Sequence, residues 1–157
     1  KPNPMPESVR DRPTKAHEYV FLLSKSARYF YDQDALREPD CGRASGNDFK
    51  NRQGGAGGAP WRPGKGRNAR SVWTIPTQPY SGAHFAVMPP ALADRCIKSG
   101  SRVGDTVLDP FSGAGTTGMV ARRLRRQYVG IELNPEFADM ARRRIDSDAP
   151  LLNRMAL

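Results

Sequence analysis

Apolar residues change their spacing along the chain, and the changes mark out its elements. Arg102–Leu108 and Tyr128–Glu132 are short apolar-rich runs bounded by turn residues, the pattern of buried strands, with a helix expected between them over Thr116–Arg126. Leu92, Ala93, Cys96 and Ile97 recur at helical spacing upstream. Pro90 suits a first helical position and Gly100 a stop, which predicts a helix over Pro90–Ser99. A last helix opens at "NPEF": Asn134 can cap it, Pro135 suits its first turn, and Phe137, Met140, Ala141 and Ile145 form one apolar stripe.

The first part of the chain reads differently. Glu18–Leu23 and Arg28–Tyr31 are rich in aromatic and β-branched residues and are separated by the polar turn Ser24–Ala27, a hairpin signal. Both faces of the first run are apolar, so the hairpin is expected inside a covered sheet; periodicity alone leaves a buried helix as the alternative. From Gln33 to Arg70 the periodicity fades, and the stretch "CGRASGNDFKNRQGGAGGAPWRPGKGRNAR" holds eight glycines. Three regions follow: a β-hairpin region (1–32), a Gly-rich basic loop or linker (33–71), and a β-α-β-α region (72–157). The last predicts a Rossmann-like, three-layer α/β fold whose parallel sheet is left incomplete by these residues.

Charge narrows the class of partner. At 157 residues the chain suits one domain, and its 25 Lys and Arg against 16 Asp and Glu give a formal charge of +9, which points to a polyanion such as nucleic acid. Lys50, Arg52, Arg62, Lys65, Arg67 and Arg70 lie around Trp61 with no acid between Phe49 and Arg70. Such a segment can track a phosphate backbone and stack on a base; the plain alternative is a solvated linker. Cys41 and Cys96 show no metal or disulfide spacing, and no run approaches the roughly 20 apolar residues of a spanning helix, so a soluble cytoplasmic protein without metal is expected. The first residue is Lys1, and "KPNPMPESVRDRPT" reads as the middle of a loop, so an N-terminal truncation is expected too.

The stretch "VLDPFSGAGTTGMVARRL" carries the chemistry. A glycine turn between strand and helix can cradle a dinucleotide, a phosphate or S-adenosylmethionine. Gly113-x-Gly115-x-x-Gly118 meets the dinucleotide pattern, and Glu132 stands 19 residues after Gly113, where a ribose-binding acid is expected. Asp109 discriminates: a carboxylate there repels a pyrophosphate and suits the ammonium of a methionine moiety, which favours S-adenosylmethionine over NAD. The structural alternatives are a turn-capping Asp109, a solvent-facing Glu132 and a core-packing Phe111.

With these residues in place the sequence resembles a family. "DPFSGAGTTGMVARRLRRQYVGIELNPEFADMARRRI", preceded by "WTIPTQPYSGAHFAVMPPALADRCI", is similar to the C-terminal half of the DNA amino-methyltransferases that modify adenine N6 or cytosine N4. The order matches the permuted branch, with the cofactor segment last, and "DRPTKAHEYVFLLSKSARYFYD" resembles the family's hairpin region. The resemblance implies S-adenosylmethionine as cofactor, double-stranded DNA as partner, and methyl transfer to an exocyclic amine, adenine N6 favoured over cytosine N4. It assigns Asp109, Phe111, Gly113, Gly115, Thr116 and Thr117 to the cofactor loop and Glu132 to the ribose. His84, Phe85 and Ala86 match the segment that completes the methionine end of the pocket, while His17 reads as structural.

One part is missing from these residues. The family activates the amine with Asp, Ser or Asn followed by Pro-Pro and an aromatic: polar groups accept the amine protons and the aromatic stacks on the flipped base. Neither "MPPA" (Met88–Ala91) nor "TQPY" (Thr77–Tyr80) supplies that set, so no catalytic residue is assigned and the chain alone is expected to be inactive. Two other classes stay open here: a non-catalytic nucleic-acid-binding module, and half of a dinucleotide-binding oxidoreductase.

Overall fold

The computed structural model describes residues 1–4, 6–39, 66–78 and 87–148. After a single 3-10 turn at Asp34–Leu36, its elements run α1 (Pro90–Gly100), β1 (Thr106–Asp109), α2 (Thr116–Arg123), β2 (Gln127–Gly130) and α3 (Pro135–Asp148). The strands pair in parallel, from Thr106 opposite Gln127 to Asp109 opposite Gly130, and α2 is the crossover between them.

Strand alternation divides the residues between two faces. Val107 and Tyr128 turn towards the helices and pack on a core of Ala93, Ile97, Met119, Val120, Ala121 and Ile145. Leu108 and Val129, one position on, lie on the opposite face and stay 60% and 50% exposed. The described residues therefore build two layers of the three expected, with a sheet of two strands. The Rossmann-like β-α-β-α order is present, and the sheet is incomplete.

Element ends move for local reasons. β1 begins at Thr106 rather than Arg102 because residues 102–105 form a turn: the Asp105 carboxylate accepts the Arg102 amide (2.8 Å) and the Asp105 amide donates to the Arg102 carbonyl (3.1 Å). α2 stops at Arg123, since Arg125 takes φ +59° and the Arg126 amide reaches back to the Ala121 carbonyl (2.8 Å).

The expected hairpin over Glu18–Tyr31 is not formed; these residues contain no strand. Tyr19, Val20, Phe21, Leu22 and Leu23 are 55–87% exposed instead of covered. A short two-stranded unit buries too little to hold itself together, and the segment pairs with neither strand of the described sheet. The end of the segment is tied to the helical layer: the Asp32 amide donates to the Ser99 carbonyl (2.9 Å), and the Arg102 guanidinium stacks over Phe30 at 4.2 Å. Among the described residues no helix is long and apolar enough to cross a membrane.

Candidate functional site

The site grows from the C-terminal end of the parallel pair. Past the strands, the Ile131 amide still donates to the Asp109 carbonyl (2.9 Å) and the Ser112 amide to the Ile131 carbonyl (2.9 Å), so the glycine turn is stitched to the chain leaving β2. Glu132 makes the third stitch. Its Oε2 accepts the Gly113 amide at 2.8 Å and its Oε1 the Asn134 amide at 3.0 Å. Asn134 in turn caps α3, its Oδ1 accepting the Glu136 amide at 2.9 Å.

From below, α3 supports the turn. Gly115 has φ +73°, and a Cβ there would lie 2.9 Å from the Ala141 Cβ, so the backbone approaches the helix as only glycine allows. Gly118 lies one turn on, where a Cβ would meet the Tyr128 ring at 2.5 Å and Ile145 at 2.6 Å; this glycine sets the spacing of α2 from β2 and α3. Arg144 donates from α3 to the Ala114 carbonyl and to Thr116 Oγ1, both at 3.0 Å. The Ser112 and Tyr128 hydroxyls share a 2.8 Å bond, and burial pushes the Tyr128 phenol above its ordinary pKa against the lowering effect of that bond.

These contacts frame a cavity of about 340 Å³ lined by Val87, Met88, Phe111, Ser112, Gly113, Ala114, Thr116, Thr117, Glu132 and Phe137. Its size falls in the range of small-molecule sites, and its lining combines apolar side chains with Ser112, Thr116, Thr117 and Glu132. Of the residues singled out from sequence, Phe111, Gly113, Thr116, Thr117 and Glu132 meet here. Phe111 is 87% exposed at the site rather than packed in the core. Gly115 is buried behind the wall. Asp109 is not part of the lining; its Oδ1 accepts the Phe111 amide (3.0 Å), the turn-capping role weighed against it. His84, Phe85 and Ala86 lie outside the described residues, as do Lys50, Arg52, Arg62 and Lys65.

Arg67 and Arg70 are engaged within the protein. Glu38 Oε2 accepts from Arg67 Nη2 (2.9 Å) and Arg70 Nε (3.0 Å), while Glu38 and Arg67 exchange backbone bonds of 3.0 and 2.9 Å. The Arg70 amide, then the guanidinium charges, hold the Glu38 carboxyl below its ordinary pKa.

Val87, Met88, Ser112, Ala114, Phe137 and Arg144 belong to the site or its support without having been singled out. Phe137 was legible as part of the apolar stripe, and its position nearest the start of α3 was the signal that it reaches the turn. Arg144 stands in a run of three arginines, and nothing in the sequence separates it from Arg142 and Arg143.

Comparison with known proteins adds to this geometry. The family model described as DNA methylase matches residues 1–143. The Type II methyltransferase M.SmaI of Serratia marcescens is 50% identical over 145 residues, covering 92% of this chain and 43% of that protein. M.Cfr9I of Citrobacter freundii is 45% identical over 156 residues, 99% of this chain and 45% of that one. The chain thus spans under half the length of these curated relatives. Among solved structures, the M1.HpyAVI–SAM complex matches with 32% identity over 48% of this chain and 43% of its own, at a TM-score of 0.39. The cytosine-N4-specific PvuII DNA methyltransferase matches with 30% identity over 46% and 28%, also at 0.39.

Proposed function

The chain belongs to the N6/N4 DNA methylase family, and from that premise we propose that it forms the S-adenosylmethionine-binding part of a DNA amino-methyltransferase. The observation that carries this reading is the Glu132–Gly113 bond, which sets an acid and a glycine turn on the same cavity. Glu132 lines the cavity, where its carboxylate is a hydrogen-bond acceptor matched to the donor hydroxyls of a ribose. Phe111, Met88 and Phe137 offer apolar surface for a purine. The N-terminus of α2 and the hydroxyls of Thr116 and Thr117 suit a carboxylate, and Asp109, with Oδ2 beyond the turn-capping bond, suits an ammonium.

The bound cofactor would supply an electrophilic methyl group on a sulfonium. The acceptor is an exocyclic amine, adenine N6 or cytosine N4, on double-stranded DNA reached through the basic segment 50–70. Activating that amine needs acceptors for its protons, and these 157 residues lack the polar-Pro-Pro-aromatic set. In "MPPA", Pro89 and Pro90 start α1, and the Leu92 amide donates to the Pro89 carbonyl (2.9 Å), a structural use of that pair. The part carrying the missing set, in cis or as a separate polypeptide, completes the enzyme.

Calorimetry with S-adenosylmethionine, NAD and duplex DNA tests the binding reading; tighter binding of NAD than of the methyl donor overturns it. Labelled methyl donor with mixed-sequence DNA tests the rest. No transfer is expected from the chain alone, and transfer is expected when a polypeptide carrying the proline-rich catalytic set is added. Digestion to nucleosides then identifies the methylated base.

A further inference from the structure

Arg144 reaches the cavity wall from behind. Its Nη1 donates to the Ala114 carbonyl and to Thr116 Oγ1, both at 3.0 Å, yet Arg144 itself is not among the lining residues. Placing a cation at the N-terminal end of α2 opposes the helix dipole, so the arrangement is unfavourable for the helix taken alone. A guanidinium has only donors, so Thr116 Oγ1 must be the acceptor in this bond, and its own proton points elsewhere. Thr116 is 5% exposed and lines the cavity.

We infer that Arg144 is a positioning residue that turns the Thr116 hydroxyl into a hydrogen-bond donor aimed into the cavity, towards an anionic group. Ionised donors strengthen the hydroxyl they bond to, and the α2 N-terminus adds positive potential at the same place. The matching group on the proposed cofactor is the carboxylate of its methionine end, so this inference rests on the cofactor reading. Within that reading it assigns a residue of α3, remote from the glycine turn in sequence, to one end of the ligand.

The test compares two ligands, S-adenosylmethionine and 5′-methylthioadenosine, which keeps the adenosine and lacks the amino-acid end. Arg144→Met should weaken the first by about three- to tenfold, the worth of one hydrogen bond, and leave the second unchanged. Thr116→Val should do the same, and the double variant should lose no more than either single one, because the two residues act through one bond. Arg144→Lys should recover part of the loss. If Arg144→Met fails to fold, Thr116→Val and Arg144→Lys make the same discrimination against the two ligands. Equal weakening of both ligands, or multiplying losses in the double variant, overturns the inference and leaves Arg144 a structural brace. A wild-type chain that binds neither ligand overturns the cofactor reading itself, which separates the two failures.

Discussion

Glu132 Oε2 and the Gly113 amide lie 2.8 Å apart, and this one bond joins the turn after β1 to the end of β2. The same carboxylate therefore shapes the turn and lines the cavity. Glu132→Ala should cost about 1–3 kcal/mol of affinity for S-adenosylmethionine, since both a loop contact and buried ligand bonds are lost. Glu132→Gln, which keeps an acceptor for Gly113, should lose less. Isothermal titration of the three proteins measures the difference, and equal affinities would remove Glu132 from the site.

Gly115 makes a separate prediction about stability. Its φ is +73°, and a methyl group added there would stand 2.9 Å from the Ala141 Cβ, so Gly115→Ala combines backbone strain with a clash. A loss of about 2–4 kcal/mol in urea unfolding is expected from the two together. Adding Ala141→Gly should relieve only part of the steric share, because the Cα of residue 141 would still stand 3.0 Å from the added methyl, and should leave the strain.

Acid should weaken the link between α2 and α3. Arg123 and Asp148 form a two-bond ion pair, and the hydrogen bond from Arg123 is the main cause holding the Asp148 carboxyl below its ordinary pKa. A depressed carboxyl contributes stability that is fully present above its unfolded-state pKa and is lost as pH falls through the lower folded value. Asp148→Asn should therefore flatten the fall in melting temperature between roughly pH 5 and pH 2 while changing little near neutrality beyond loss of the pair itself, a modest effect because Arg123 is half exposed.

DNA binding should be steeply salt-dependent. Replacing Lys50, Arg52, Arg62 and Lys65 by neutral residues should reduce the slope of log affinity against log salt by about 3–4, at about 0.9 per phosphate contact on duplex DNA. Arg67 and Arg70 already share Glu38, so neutralising them should change the slope less than two of the other four do. An unchanged slope in the fourfold variant would make the segment a linker.

The β-α-β-α order, the cap at Asn134 and the residues of the glycine turn were legible in the sequence because each rests on local physics: strand and helix periods, proline at helix starts, and an acid at the end of β1 and just past the end of β2. Spacing alone also brought Gly113 and Glu132 into one hypothesis. Tertiary structure decided the rest. It left Tyr19–Leu23 exposed, because a strand is held by pairing with another strand and by packing of its faces, and no local pattern reports whether these partners are met. It turned Asp109 towards the Phe111 amide and Arg67 and Arg70 towards Glu38, because a charge goes to whichever partner folding brings within reach. It also distinguished Arg144 from its two neighbours in the arginine run, since only the packing of α3 under the turn directs one of three identical side chains to Ala114 and Thr116.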